Sequence, residues 1–277
     1  MIRLSILDKD GNIKNGKNDY EEYVLPMTKE SNDYCYLSTQ DLTFVEGDVI
    51  RVETDVKDAY LVVKLDETLD STILFVPNCS FDYMIEMNET ALEARSDLAF
   101  KGKRHYLQAR FAKEEEIASY RNWALNPHDQ KEYRGAYPHA SANVETRNDA
   151  TFFACNAIDG VYANNSHGSY PYQSWGINRR EDAALTIDFG REVEIDQVGF
   201  TLRNDFPHDS YWTEVTVEFS DGSSETFSIE KIPTPQFFSI EKRKVSTAVL
   251  CNLKKAEDDS PFPALTQIEL YGKNTQF

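Results

Sequence analysis

Apolar and polar residues alternate in short runs over the first 111 residues, a pattern typical of β-strands with one buried and one solvated face. In FDYMIEM at 81–87, the residues that share one face are Phe81, Tyr83, Ile85 and Met87. Turn sequences such as Asp-Gly-Asn at 10–12 separate the runs. The strands predicted in this way cover residues 3–7, 22–27, 34–38, 48–54, 60–66, 71–76, 80–87 and 105–111.

The period of the pattern changes at 112–125. Apolar residues recur there at helical spacing, on a face formed by Ile117, Tyr120, Ala124 and Leu125. The acidic residues at 114–116 favour the start of a helix because of its dipole, and Pro127 ends it. Pro, Asn, Asp and Gly are dense from 126 onward, which predicts a linker over 126–136.

Strand patterns return from Tyr137 to the end of the chain. The clearest cover residues 184–189, 197–203, 213–220, 226–230, 237–241, 245–253 and 265–271. A chain of 277 residues has room for two domains. The sequence therefore predicts an all-β fold. Its two antiparallel β-sandwich (jelly-roll) domains, 1–125 and 137–277, are joined by the short helix at 112–125 and the linker.

Composition and charge reduce the range of possible binding partners. The chain has 29 basic and 47 acidic residues, a net charge of −18, which repels nucleic acid and anionic membranes. Four scattered cysteines without C-x-x-C spacing argue against a zinc site and for reduced thiols. The sequence shows no apolar run long enough for a signal peptide or a membrane span, which predicts a cytoplasmic protein.

Four motifs occur in order over the second half. They are YPHASAN followed by NAIDG at 156–160, Trp175 shortly before ALTIDFG at 184–190, VTVEFSDG at 215–222 and LTQIELYG at 265–272. Over residues 137–273 the chain thereby resembles galactose-binding-like β-sandwiches. The nearest group is the discoidin-like (coagulation-factor type C) domains, including the family 32 carbohydrate-binding modules. The resemblance implies sugar binding and an extracellular setting, and it does not extend to 1–125.

The resemblance also implies a structural calcium ion. In such domains calcium lies beside the Asp-Gly turn and the closing strand, and the matching positions here are Asp159, Asn164 and Glu269. Carboxylate, amide and carbonyl oxygens are the ligands that calcium prefers. The alternative is that Asp159 caps its own turn while Glu269 is a solvated strand residue.

Two loops of the second half combine aromatic and polar side chains suited to the C–H faces and hydroxyls of sugars. They are 167–180 and 203–212. As aromatic platforms we predict Trp212, Trp175 and Tyr172. As polar contacts we predict Arg203, Asp205, His208 and Arg179. The alternatives are that Trp175 is a core residue under its loop and that Trp212 packs at the end of its strand. Arg203 and Asp205 could instead form a structural ion pair, and His208 could bond within its own turn.

The main hypothesis is a non-catalytic carbohydrate-binding protein that takes a mono- or oligosaccharide at one end of the C-terminal sandwich. Two alternatives stay open: a carbohydrate-active enzyme with its site between the domains, and a protein–protein interaction module with a partner for the N-terminal domain. The common motifs of hydrolases, metalloproteases and nucleotide-binding enzymes are absent from the sequence, which favours a binding module. An acid–base pair within Asp205, His208 and Asp209 is the strongest catalytic candidate.

Overall fold

The computed structural model describes residues 1–20 and 23–275. The chain divides into two compact units. Unit 1 comprises Met1–Lys113 and Tyr133–Tyr137, and unit 2 comprises Glu114–Glu132 and the chain from Pro138 onward. All strand pairs of the described residues are antiparallel, so the predicted all-β fold is confirmed. Within these residues, no helix is long and apolar enough to cross a membrane.

Unit 1 is a β-sandwich of two four-stranded sheets, ordered β4-β1-β6-β9 and β5-β10-β7-β8, with a β2–β3 hairpin beside them. Its elements are β1 (Ile2–Leu7), β2 (Asn15–Gly16), β3 (Leu25–Pro26), β4 (Thr28–Ser31), β5 (Tyr34–Thr39), β6 (Val49–Thr54), β7 (Ala59–Lys64), β8 (Thr72–Val76), β9 (Ser80–Met84), the helix α1 (Glu89–Glu93) and β10 (His105–Phe111). Inward side chains of both sheets, such as Ile50 and Leu61, share one apolar core. The predicted face of β9 lies in it, since Phe81, Tyr83 and Ile85 are buried.

Two strands of unit 1, β2 and β4, lie outside the strands predicted from the sequence. β4 has the sequence TKES and forms the edge of its sheet with no fully buried residue. The predicted strand at 22–27 lies partly outside the described residues, and the structure places β3 at Leu25–Pro26. Short edge strands take their hydrogen bonds from a neighbour without burying a face, so they carry little sequence signal.

The helix predicted over 112–125 is shorter in the structure, where α2 covers Glu114–Ala118 and β11 follows at Arg121–Asn122. Backbone pairing with the last strand overrides the helical pattern. The Trp123 N–H donates to the Leu270 carbonyl at 2.8 Å, and the Leu270 N–H donates to Asn122 Oδ1 at 2.9 Å. The Trp123 indole is buried in the core of unit 2, so this segment belongs to that unit.

Unit 2 is built around one eight-stranded sheet. After β11 its strands are β12 (His139–Ala142), β13 (Trp175–Gly176), β14 (Leu185–Leu202), β15 (Trp212–Phe219), β16 (Ser224–Ser228), β17 (Gln236–Lys255) and β18 (Ala264–Asn274). Three 3-10 helical turns, Thr146–Asn148, Ala150–Phe152 and Ala154–Ile158, occupy the connection from β12 to β13.

The sheet of unit 2 folds over to enclose its core. β14 and β17 pair along most of their length, but the register breaks between Asp188 and Val193. Before the break β14 also pairs with β12, and after it with β18. Side chains from both parts, Ile187 and Phe200 among them, belong to the same apolar core. The sheet thus forms the two layers of a sandwich.

Candidate functional site

A pocket of about 190 Å³ lies at the end of unit 2 where β13, β14 and β18 meet. The meeting point is fixed by the register, because Leu265 of β18 pairs with both Trp175 of β13 and Leu202 of β14. The loops that leave these strands supply the walls. Their side chains include Arg147, Phe152, His167, Arg179, Arg203, His208 and Phe262. Three of the residues predicted from the sequence are among them, namely Arg179, Arg203 and His208.

A buried ion pair anchors the loop that follows β14. Arg203 and Asp205 are only 5% and 7% exposed, and the Arg203 Nε lies 3.0 Å from the Asp205 Oδ1. The Arg203 guanidinium also donates to the His208 carbonyl at 3.2 Å and to the Phe262 carbonyl. Burial lowers the pKa of Arg203, and the Asp205 carboxylate opposes this shift. The pair therefore holds two walls of the pocket together.

Two histidines from separate loops flank the Asp205 carboxylate. The His167 Nδ1 forms a hydrogen bond to Asp205 Oδ2, and the His208 Nδ1 lies 3.9 Å from the same oxygen. Their rings meet edge to face with centroids 4.9 Å apart. The side chains are 40% and 50% exposed, so both rings offer polar atoms to a ligand in the pocket.

The ligand atoms of His167, Asp205 and His208 lie within 4.8 Å of one another, close enough to share a metal ion. However, the Asp205 carboxylate already forms an ion pair with the Arg203 guanidinium through its other oxygen. A cation at this point would meet the charge of that buried guanidinium. We assign the group to hydrogen bonding.

An aromatic wall faces the histidines. Phe262 is 39% exposed, and the Arg179 guanidinium lies over its ring at 4.4 Å. Asn178 and Arg179 have φ of 49° and 60°, in a tight turn closed by a bond from the Arg180 N–H to the Ile177 carbonyl. Beneath this turn a Cβ at Gly176 would lie 2.7 Å from Thr146 Oγ1, so only glycine fits there.

The structure places both predicted tryptophan platforms in the core instead of on the surface. Trp175 and Trp212 are fully buried, with ring centroids 6.4 Å apart. The Trp175 Nε1 donates to the Val144 carbonyl at 3.0 Å. Neither indole presents a face to a ligand. Tyr172 is half-buried in a turn with Ser169 and is not among the side chains that line the pocket.

The residues expected to bind calcium are held by hydrogen-bond donors. Asp159 accepts bonds from the Gln267 and Gln173 amides at 2.7 Å each and from the Val161 N–H at 2.8 Å. Glu269 accepts bonds through Oε1 from the hydroxyls of Tyr162 at 2.6 Å and Tyr271 at 2.9 Å.

The third of these residues, Asn164, has a structural role. Its amide donates to the carbonyls of Leu202 and Pro233 at 2.9 Å each. The backbone carbonyl of Asn164 accepts the Asn204 N–H at 2.7 Å, so this residue supports the loop after β14. Calcium requires a cage of six to eight oxygens. The oxygens of Asp159 and the Oε1 of Glu269 face N–H and O–H donors instead, while the buried Oε2 of Glu269 has no partner among the described residues. A single unpartnered carboxylate oxygen does not make such a cage.

Burial gives Asp159 an unusual titration, raising its pKa to about 7 against the lowering effect of its three hydrogen bonds. The unfolded chain loses this proton near the ordinary value of 3.8. Between these values the folded state binds more protons than the unfolded state. Asp159 therefore makes its whole contribution to the free energy of unfolding below about pH 4. This contribution falls as the pH rises from about 4 to about 7 and is lost above that range.

We expect Asp159→Asn to remove this slope. The buried Gln173 Oε1 has no partner, so a rotated Gln173 amide would accept from the new asparagine. Urea unfolding at pH 5 and pH 8 measures the difference, followed by tryptophan fluorescence because Trp123, Trp175 and Trp212 all lie in unit 2. An equal pH slope in the wild type and the variant would contradict the assignment.

Several pocket residues were missed from the sequence, notably Phe262, Phe152, Arg147 and Asn178. Two of them carry a signal: Asn178 lies in the predicted loop 167–180, and Phe262 lies between Pro261 and Pro263 just before β18. Prolines on both sides restrict the backbone and remove N–H donors, so the segment cannot join a sheet interior. An aromatic residue in such a segment is presented on a loop.

Comparisons with known proteins give similarities of structure alone, because no family model and no curated protein sequence matches the chain. One similar structure is chitosan-binding module 1 from a chitosanase/glucanase of Paenibacillus sp. IK-5, with 15% identity and a TM-score of 0.37 over 56% of this chain and 100% of the module. A second is the family 32 carbohydrate-binding module of NanJ from C. perfringens, in complex with galactose. It has 15% identity and a TM-score of 0.37 over 48% of this chain and 91% of the module.

A third similar structure is the fucose binding module SpX-3 of Streptococcus pneumoniae. It has 15% identity and a TM-score of 0.38 over 55% of this chain and 98% of the module.

Proposed function

We propose that unit 2 binds a carbohydrate in the pocket at the end of β13, β14 and β18. The observation that carries the proposal is the pairing, across one small concavity, of a half-exposed Phe262 ring with the exposed imidazoles of His167 and His208. A sugar ring has apolar C–H faces and a rim of hydroxyls. The phenyl ring covers the first, and the imidazole nitrogens bond the second.

The pocket is also preorganised. Arg203 binds the carbonyls of His208 and Phe262, so both walls are fixed relative to each other before a ligand arrives. The backbone carbonyl of Asn164 also holds the same loop, through the Asn204 N–H. A rigid site loses less conformational entropy on binding, which raises affinity. The four motifs shared with family 32 modules support the same class of ligand.

Binding without chemistry fits the pocket better than hydrolysis does. Glycosidases use two carboxylates on either side of the scissile bond, and none of the described side chains that line the pocket is a carboxylate. Asp205 lies behind the histidines and is committed to Arg203. Asp209, the other acid of the candidate acid–base pair, bonds Lys231 at 2.8 Å.

A thermal-unfolding screen against neutral and acidic monosaccharides tests the proposal. A sugar present at 100 times its dissociation constant stabilises its domain by about 2.7 kcal/mol, which raises the melting temperature of unit 2 by several degrees. We expect at least one sugar to do so, and His208→Ala to remove the shift while leaving the melting temperature without sugar unchanged. A screen with no shift, or a shift that survives in His208→Ala, would contradict the assignment.

A further inference from the structure

The most distinctive charge in the pocket belongs to Arg179. The Cζ of its guanidinium lies over the Phe262 ring, 4.4 Å from the centroid, and the residue is exposed in the wall of the pocket. Among the described residues none accepts a hydrogen bond from it or forms an ion pair with it. Stacking on an aromatic face leaves the N–H groups along the edge of a guanidinium free to bind a ligand. Arg179 therefore presents N–H donors that no described residue uses.

The other charges of the pocket are compensated. Arg203 is paired with the buried Asp205 at 3.0 Å, and Arg147 lies 3.2 Å from Asp149. The neighbouring Arg180 is committed to Asp182 at 2.6 Å, outside the pocket lining. Apart from the two imidazoles, these described groups leave one positive charge at the site, that of Arg179.

This local excess of positive charge contrasts with the rest of the chain, whose net charge is −18. An acidic surface repels an anionic ligand at long range. An uncompensated arginine inside the pocket supplies a local attraction that opposes this repulsion. The fork of a guanidinium matches the two oxygens of a carboxylate, which it binds through parallel charge-assisted hydrogen bonds. A neutral sugar would leave this charge without a partner.

We infer that the ligand of this pocket is an acidic sugar, and that Arg179 binds its carboxylate while Phe262 and the histidines contact the sugar ring. The inference rests on the proposed sugar-binding function and gives it a substrate class: uronic acids and other sugars that carry a carboxylate. A sugar sulfate offers the same negative charge in tetrahedral geometry, and the experiment separates the two.

Calorimetric titration with matched sugars tests the inference, using methyl galacturonide against methyl galactoside and methyl glucuronide against methyl glucoside. Within each pair the sugars differ only in the carboxylate. We expect the acid to bind about tenfold or more tightly than its neutral partner at low salt, with the difference shrinking as salt is added. Arg179→Gln should reduce the affinity for the acid to that for the neutral sugar.

Arg180→Gln is the matched control, because it removes the adjacent exposed arginine, whose partner is Asp182. It should keep the preference for the acid. Arg179→Gln retains a Cβ at the same positive φ, so any backbone strain is common to wild type and variant.

The contrary results are distinct. Equal affinity for acid and neutral sugar, or equal weakening of both by Arg179→Gln, would overturn the acidic-sugar inference and leave the sugar site standing. Galactose 6-sulfate binding as tightly as the uronic acid, in a manner that depends on Arg179, would overturn the choice of a carboxylate. Absence of binding to every sugar in the series would overturn the proposed function together with this inference.

Discussion

Trp175→Ala is expected to lower the free energy of unfolding of unit 2 by about 3–5 kcal/mol, the usual cost of truncating a fully buried tryptophan. Its indole is inaccessible to solvent, packs near Trp212 and donates to the Val144 carbonyl. The effect should appear in unfolding without any ligand. Urea unfolding followed by the fluorescence of the two remaining tryptophans measures it, since both lie in unit 2.

A comparison of two conservative variants separates packing from hydrogen bonding. Trp175→Phe loses the bond to Val144, whereas the Trp212 Nε1 has no partner among the described residues, so Trp212→Phe loses none. We expect Trp175→Phe to cost about 1 kcal/mol more than Trp212→Phe. A Trp175→Ala variant with wild-type stability but no sugar binding would place this indole at the ligand, against the core assignment.

Arg203→Met is expected to destabilise unit 2 by about 3–5 kcal/mol, because it leaves Asp205 buried without its ion pair. The same change frees the carbonyls of His208 and Phe262, so the walls of the pocket lose their common anchor. Sugar binding should fall together with stability. Chemical unfolding and a sugar titration on the same variant measure both.

Adding Asp205→Asn to Arg203→Met keeps the shape of the side chain and removes the buried charge. We expect the double variant to recover a large part of the lost stability, while its sugar affinity stays low because the anchor is still missing. A single Arg203→Met variant with unchanged stability would show that the ion pair is exposed to water in solution. Full recovery of sugar affinity in the double variant would contradict a positioning role for Arg203.

The period-two pattern predicted most strands because most of them bury one face. FDYMIEM is an example, since Phe81, Tyr83 and Ile85 point into the core as expected. The pattern failed where hydrogen bonds alone decide the structure. β4 is a polar edge strand. β11 lies in a segment with a helical pattern, but the Trp123 N–H bonds the carbonyl of Leu270 in β18, more than a hundred residues away in the chain.

Three of the predicted polar residues, Arg179, Arg203 and His208, line the pocket, whereas none of the predicted aromatic residues does. Trp175 and Trp212 have the aromatic side chains expected of ligand platforms, yet each lies in a strand that directs its side chain into the core. Their burial depends on the register of the sheet, which the sequence does not reveal.

For the residues expected to hold calcium, the match to the motif did not predict which side chains surround them. Asp159 matches its motif, but its oxygens meet amide donors supplied by Gln173 and Gln267. Gln267 lies on the closing strand, more than a hundred residues from Asp159 in the chain. The character of a metal site depends on such neighbours as much as on the ligand itself.

The most direct test of the sugar-binding pocket is a calorimetric titration of wild type, Phe262→Ala and Phe237→Ala with the best sugar of the screen. Phe237 is the matched control, since it is a half-exposed phenylalanine of unit 2 outside the pocket lining. We predict that Phe262→Ala weakens binding about tenfold or more, because a stacked aromatic surface contributes on the order of 1–2 kcal/mol, while Phe237→Ala binds like the wild type. Unchanged affinity in Phe262→Ala, or equal losses in both variants, would contradict the assignment of the pocket as the binding site.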